Sequence, residues 1–166
     1  MKYLTIIRHA KSSWADAGME DFDRPLNERG KKSIPLVGKY LQEKGLRPDL
    51  VLSSPANRAK TTAKGICEYV GYSPGDIRLV KEIYYGDTKS VAELVREIED
   101  KFNNVFLFGH EPKLSGLITM LTGNHLEKFP TCSAYSISFN IKKWSDVKPH
   151  SGKCEFFVNP KLLGEK

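Results

Sequence analysis

The chain has 166 residues, of which 40% are hydrophobic, which is enough for one domain with a core of its own. The formal net charge is +6, but the lysines and arginines are scattered among acidic residues, without a motif that reads or stacks on bases. We therefore expect a single domain over residues 1–166 whose partners include neither nucleic acid nor membranes.

The apolar segments are too short to span a membrane, and we expect no signal or transit peptide before the first strand. The three cysteines, Cys67, Cys132 and Cys154, are spaced too widely for a disulfide framework or a metal site. This cysteine usage predicts a cytoplasmic protein with reduced thiols.

The apolar pattern predicts a buried strand over residues 2–9, a polar loop from Ala10 to about Pro25, and a helix that follows an N-cap at Asn27 and ends near Gly45. The later elements are predicted as strand 50–53, helix 56–70, strand 77–80, helix 90–102, strand 105–108, helix 112–121, and strands 134–140 and 155–158. Strands and helices alternate over the first two-thirds, which predicts a three-layer α/β/α sandwich with a mostly parallel central sheet.

Polar side chains follow three of the predicted strands. Arg8 and His9 end the first, Ser54 follows the second, and His110 follows the strand at 105–108. Sites in open α/β sheets lie outside the carboxyl ends of the strands, so we expect these groups at one edge. A histidine at a strand end is usually structural, but a buried arginine such as Arg8 requires an anionic partner.

Two further residues are candidates for the same edge. Arg58 lies in the first turn of the helix after Ser54, where free backbone N–H groups and the helix dipole favour an anion. Glu82 follows a short predicted strand and either places a carboxylate at the site or lies on the surface; the sequence leaves both open.

These residue types suit phosphoryl transfer without a metal ion or cofactor. Guanidinium groups bind phosphate oxygens, and a neutral imidazole nitrogen attacks phosphorus to form a phosphohistidine. A second histidine stabilises the oxygen charge as it develops, and a carboxylic acid protonates the leaving oxygen.

The segments Arg8-His9-Ala10, Ser-Ser-Pro-x-x-Arg-Ala around Arg58, and Gly109-His110 resemble the histidine phosphatase superfamily, with its phosphoglycerate-mutase-like fold. Residues 8–14, 23–30 and 109–112 are more closely similar to its SixA-type phosphohistidine phosphatase branch. The resemblance implies that His9 is the phosphorylated nucleophile and that Arg8, Arg58 and His110 complete the phosphate pocket.

The resemblance leaves several roles open. It implies that Ser12 and Ser13 lie in a loop that touches the phosphate or the substrate, and that Arg24 either faces the site or pins this loop. The segment around Glu82 resembles the proton-donor segment of the wider superfamily, whereas the SixA-type branch often lacks a strong acid. Ala10 stands where the wider superfamily usually has glycine.

The sequence therefore predicts a metal-independent phosphatase that works through a phosphohistidine on His9. Its expected partner is a phosphorylated substrate in an open, shallow site, with a phosphohistidine-bearing protein as the leading candidate. Two alternatives stay open: a phosphomonoesterase for small phosphorylated metabolites, and a non-catalytic module that binds phosphate or phosphoproteins.

Overall fold

A six-stranded sheet forms the centre of the computed structural model, which describes residues 1–165. The strands are β1 (Lys2–Arg8), β2 (Leu50–Ser53), β3 (Arg78–Leu79), β4 (Asn104–Gly109), β5 (Ala134–Phe139) and β6 (Lys153–Val158). The helices are α1 (Glu28–Glu43), α2 (Asn57–Val70), α3 (Lys81–Tyr85), α4 (Thr88–Arg96) and α5 (Lys113–Thr122). The strand order is β3-β2-β4-β1-β5-β6; β3, β2, β4 and β1 pair in parallel, and β5 pairs antiparallel with both β1 and β6. The predicted mostly parallel sheet is confirmed.

Each face of the sheet carries its own hydrophobic core, because successive strand residues point to opposite faces. Leu4 and Ile6 of β1 belong to the core that includes residues of α3, α4 and α5, whereas Ile7 belongs to the core that includes residues of α1 and α2. Helices therefore cover both faces, as predicted for a three-layer α/β/α sandwich.

The register of the parallel strands aligns their carboxyl ends. Arg8 is opposite Gly109 in the β1–β4 pair, and Ser53 is opposite Phe108 in the β2–β4 pair. The segment before β5 joins the same edge, where the Cys132 amide donates to the carbonyl of His9, the residue after β1, at 3.0 Å. Three parallel strand ends and one antiparallel strand start thus meet at one place.

The loop between β1 and α1 folds back on itself. Ser12 and Leu26 form an antiparallel bridge, and the Asn27 amide donates to the Lys11 carbonyl at 3.0 Å. The predicted N-cap is confirmed, because the Asn27 side chain accepts a hydrogen bond from the Gly30 amide at 2.8 Å. The start of α1 and the loop after His9 are therefore one packed unit.

Two predicted elements differ from the structure. The helix expected over residues 90–102 ends at Arg96, and the Phe102 carbonyl, which would have been in its last turn, accepts instead from Lys2 Nζ at 3.1 Å and from Trp144 Nε1 at 2.8 Å. The strand expected over residues 77–80 is limited to Arg78–Leu79 and leads into the short helix α3, which the sequence analysis did not predict.

Among the described residues, none of the helices combines the length and the apolar character that a membrane span requires.

Gly30 provides a test of the packing between α1 and the loop. A Cβ at this position would overlap the backbone carbonyl oxygen of Lys11, which a flexible side chain cannot relieve. We expect Gly30→Ala to lower the free energy of unfolding by about 1–3 kcal/mol in urea denaturation, as overpacking does elsewhere.

Gly75→Ala is the matched control, because a Cβ there meets only Ser73 Oγ, at 4.0 Å. Equal unfolding midpoints for the two variants would contradict the tight contact at Gly30.

Candidate active site

A cavity of about 390 Å³ opens at the edge where the strand ends meet. Six of the eight predicted site residues line it: Arg8, His9, Ser12, Arg24, Arg58 and His110. The strand ends supply Arg8, His9 and His110, and the first turn of α2 supplies Arg58. The structure thus brings together residues that are up to 102 positions apart in the sequence.

His9 has the geometry of a neutral nucleophile. Its Nδ1 lies 2.7 Å from the Ala10 carbonyl oxygen, which can only accept, so Nδ1 carries the proton and Nε2 keeps its lone pair. Burial lowers the pKa of His9 to about 4; the hydrogen bond to Ala10 opposes this shift, and the charges of Arg58 and Arg8 add to it. The imidazole is therefore uncharged at neutral pH.

His110 lies beside His9, with ring centroids 5.2 Å apart. Its Nε2 is 2.7 Å from the hydroxyl oxygen of Ser54, and this oxygen accepts from the Ala56 amide at 3.1 Å. With the Ser54 hydroxyl as the donor to Nε2, the proton of His110 lies on Nδ1. Burial lowers the pKa of His110 to about 3.

Three buried N–H groups at the cavity residues lack a partner: Arg8 Nε, Arg58 Nε and His110 Nδ1. The other contacts of the two arginines lead to backbone carbonyls and to Asp21, with Arg8 Nη1 donating to the Phe129 carbonyl at 3.1 Å. Buried donors are rarely left unpaired in folded proteins, so a group of them around one cavity indicates a site for an oxyanion.

Arg24 combines the two roles that were left open. It lines the cavity, and it also pins the loop by donating to the Ser12 hydroxyl and, at 3.1 Å, to the Ser13 carbonyl. The Ser13 side chain accepts from the Ala15 amide and does not line the cavity. Ser12 therefore borders the site, and Ser13 stabilises the loop through its backbone and hydroxyl.

Glu82 lies outside the site and on the surface, the second of the two placements that the sequence left open. It is exposed in α3 and is not among the residues that line the cavity. The reason is the helix itself: the next residue, Ile83, is fully buried near Gly109, and adjacent helical residues point about 100° apart. In this arrangement Glu82 does not reach a leaving group.

The cavity is also lined by five residues to which the sequence analysis assigned no role: Lys11, Trp14, Asp21, Glu111 and Thr131. Lys11, Trp14 and Glu111 belong to motifs that carried the resemblance, and Glu111 directly follows His110. Asp21 lies in a polar loop and has no local signal that distinguishes it from the acidic residues around it.

Asp21 is the most constrained of these residues. Although burial acts in the opposite direction, hydrogen bonds from Tyr84, Arg24 and Arg58 hold the pKa of the Asp21 carboxyl well below its usual range. Glu111 differs, since one of its carboxylate oxygens accepts from the Ser115 amide at 2.7 Å. Within residues 1–165 there is no cluster of three or more His, Cys, Asp or Glu side chains that would hold a metal ion.

Comparison with known proteins agrees with this geometry. A model of the histidine phosphatase superfamily (branch 1) matches residues 4–104. An uncharacterized chloroplastic protein of Arabidopsis thaliana is 30% identical over 172 residues, which covers 95% of this chain and 77% of that protein.

Two solved structures have similar folds. SixA from Agrobacterium tumefaciens, a protein assigned as a phosphohistidine phosphatase, superposes with a TM-score of 0.81 at 26% identity, covering 96% of this chain and 98% of that one. The protein histidine phosphatase SixA in complex with tungstate superposes with a TM-score of 0.83 at 22% identity, covering 97% and 99%.

The neutral state of His9 predicts a stability that depends on pH. An unfolded histidine titrates near pH 6.5, whereas His9 in the folded chain resists protonation down to about pH 4. The unfolded chain therefore binds more protons in this window, and stability falls as the pH falls. The free energy of unfolding of the wild type should fall between pH 7 and about pH 4.5. We expect this fall to be smaller by about 1–3 kcal/mol in His9→Asn, measured by urea unfolding.

The measurement requires a buffer without oxyanions, because a ligand bound at the cavity would stabilise the folded state. His125→Asn, at an exposed histidine, is the control and should follow the wild type. If His9→Asn loses as much stability as the wild type when the pH falls, His9 is protonated in the folded chain above pH 4.5.

Proposed function

Because the chain belongs to the histidine phosphatase superfamily, we propose that this phosphatase acts through a phosphohistidine on His9 and that its substrate is a phosphohistidine in a protein. One observation carries the proposal. His9 holds Nε2 free and uncharged in a cavity lined by residues whose Arg8 Nε, Arg58 Nε and His110 Nδ1 have no partner.

In the proposed first step, the Nε2 lone pair of His9 attacks phosphorus. The bond between phosphorus and the substrate imidazole breaks, and its electron pair goes to the leaving nitrogen, which takes up a proton. The donors of Arg8, Arg58 and His110 bind the equatorial phosphoryl oxygens, where negative charge develops. Nδ1 of His9 keeps its proton throughout, because the Ala10 carbonyl holds it.

In the second step, water attacks phosphorus on the enzyme. The bond between phosphorus and Nε2 breaks, its electron pair returns to Nε2, and inorganic phosphate leaves with the oxygen of the water. The water loses one proton to the solvent. The same N–H donors serve both steps because the phosphoryl oxygens stay in one place while phosphorus moves from the substrate nitrogen to Nε2, and then from Nε2 to the water oxygen.

The acids around the cavity favour a phosphoramidate substrate. Among the described residues, Asp21 and Glu111 are the carboxylates that line the cavity, and Asp21 is held ionised by its two arginines. An imidazole leaving group is protonated readily and needs little help, whereas an ester oxygen needs an acid. This difference supports phosphohistidine over esters.

The rim of the cavity supports a substrate carried by a protein. Trp14 lines the cavity although it is 77% exposed. An exposed aromatic side chain at the entrance is typical of surfaces that contact macromolecules. Metal independence, a cytoplasmic location and the lack of nucleic-acid and membrane partners stay predictions from the sequence.

Glu111 favours a second candidate, hydrolysis of phosphomonoesters. Glu111 lines the cavity directly after His110, and its carboxyl group is the candidate to protonate an ester oxygen. The two candidates share the phosphorylated His9 and differ only in how the leaving group obtains its proton.

Replacing His9 tests the shared step. We expect His9→Ala to lose at least about 10³-fold in turnover of aryl phosphate and phosphohistidine peptide, as loss of a nucleophile does in other enzymes. His125→Ala, which removes an exposed imidazole, should keep wild-type turnover. The wild-type rate should persist in EDTA, and the wild type should form an acid-labile, alkali-stable phosphoenzyme that His9→Ala does not form.

A wild-type protein that binds phosphate without any turnover would instead support the non-catalytic module.

Replacing the two glutamates separates the substrate classes. If esters are substrates, Glu111→Gln should lower kcat/KM for aryl phosphates with poor leaving groups by about 10²-fold, because general acid catalysis has this magnitude. Its effect on a phosphohistidine peptide should be small. Glu82→Gln removes an exposed carboxylate outside the cavity and should change neither.

The phosphohistidine proposal fails if the wild type hydrolyses the phosphohistidine peptide no faster than an aryl phosphate.

A further inference from the structure

Asp21 binds two cavity arginines with one carboxylate. Its Oδ1 accepts from Arg24 Nη1 at 3.0 Å, and its Oδ2 accepts from Arg58 Nη2 at 3.0 Å. The Asp21 backbone carbonyl also accepts from Arg58 Nη1 at 2.7 Å. Neither the phosphoryl-transfer steps above nor the superfamily resemblance uses this residue.

These contacts determine how Arg58 is oriented. Both of its terminal nitrogens donate to Asp21, while its Nε–H is buried without a partner. A guanidinium group is planar and rigid, so fixing both Nη atoms also fixes the direction of Nε–H. Arg58 is 7% exposed and lines the cavity.

We propose that Asp21 is a positioning residue that holds the Arg58 guanidinium group at the phosphoryl cavity, while holding Arg24 against the loop after His9. The proposal rests on phosphoryl transfer at this cavity and not on the identity of the leaving group. Asp21 itself acts on the substrate only through the two arginines.

The surroundings keep Asp21 in place. The Tyr84 hydroxyl donates to Oδ2 at 2.7 Å, and the Tyr84 ring packs against His110 with centroids 5.3 Å apart. The 3-10 turn Asp21–Asp23 is tied to α2, since the Asn57 side chain donates to the Asp23 carbonyl at 3.1 Å. The Asp21 carboxylate therefore has two supports besides the arginines.

The alternative role for Asp21, an internal anion that competes with the phosphoryl group, predicts the opposite change in oxyanion binding when Asp21 is replaced. If Asp21 is an internal anion that the phosphoryl group must displace, removing its charge tightens the binding of oxyanions. If it is a positioning residue, removing it releases Arg58 and weakens the complexes that depend most on geometry. The two roles thus predict opposite changes in oxyanion affinity when Asp21 is replaced, and the sign of the measured change distinguishes them.

The experiment compares Asp21→Asn with Asp23→Asn. Both variants remove one negative charge from the same turn, but the Asp23 side chain is exposed and makes no ion pair with Arg24 or Arg58. For each variant we would measure kcat and KM with an aryl phosphate, inhibition by vanadate, and calorimetric binding of inorganic phosphate.

We expect Asp21→Asn to lower kcat by about 10–10²-fold, the effect that misplacement of a positioning group has. Vanadate, which adopts the transition-state geometry, should lose a similar factor, while KM and phosphate affinity change less. Asp23→Asn should stay within about twofold of the wild type, as expected for a single exposed charge. Tighter binding of both oxyanions by Asp21→Asn, or an unchanged kcat, would overturn the proposal.

Tyr84→Phe provides a second, milder variant that keeps the aromatic ring and removes only the hydroxyl. It should lower kcat and vanadate affinity, as Asp21→Asn does, but by a smaller factor. The double variant should lose less activity than the product of the two single fold-losses, because both changes act on the same carboxylate. Asp21→Glu, which restores a carboxylate, should recover part of the loss.

Should Asp21→Asn fail to fold, Tyr84→Phe decides: unchanged kcat and vanadate inhibition in the folded variant would overturn the proposal.

The outcomes also separate this proposal from the proposed function. If the wild type turns over neither esters nor phosphoramidates, the phosphatase mechanism fails, but calorimetry with phosphate and vanadate still reports on Arg58. Weaker vanadate binding by Asp21→Asn would then support the positioning role, and tighter binding would overturn it.

Discussion

The parallel pairing of β1 with β4 is the constraint on which the rest of the site depends. It sets Arg8 opposite Gly109. The residues that follow the two strands, His9 and His110, therefore leave the sheet at the same level. A shift of this register by one residue would exchange the two faces of β1 and bury Arg8 among apolar side chains. The cores on both faces of the sheet therefore also fix the distance between the two imidazole rings.

The same burial that stabilises the sheet determines the chemistry of the imidazoles. His9 and His110 are each 6% exposed, and both lie near cationic side chains that disfavour a positive charge on the ring. Desolvation thus keeps both rings neutral, one as a nucleophile and one as a hydrogen-bond donor. The two differ in their partners: a backbone carbonyl holds the Nδ1 proton of His9, whereas a hydroxyl group faces Nε2 of His110. Small polar contacts therefore assign different roles to chemically identical side chains.

Local signals predicted the parts of the site that depend on local structure. Arg8 and His9 end an apolar strand, Asn27 caps a helix, and Arg58 lies in a helical first turn; each placement follows from neighbouring residues and is confirmed. The sequence left the position of Glu82 open and did not single out Asp21, because both positions depend on distant partners. The side chain of Asp21 faces the cavity because arginines from two segments and Tyr84 bind it, and residues near Asp21 in the sequence do not indicate this.

The unpaired donors connect the stability of the fold with its affinity for oxyanions. Each buried N–H without a partner costs about 1–3 kcal/mol, and Arg8, Arg58 and His110 each contribute one. The packing of the sheet offsets this free-energy cost. Asp21 reduces the cost, because it accepts from both Nη atoms of Arg58 and leaves only Nε without a partner. An oxyanion in the cavity satisfies the remaining donors without reorganising them, so most of their desolvation is already complete before binding. The donors that the protein leaves unpaired are therefore the groups that gain most when a phosphoryl group binds.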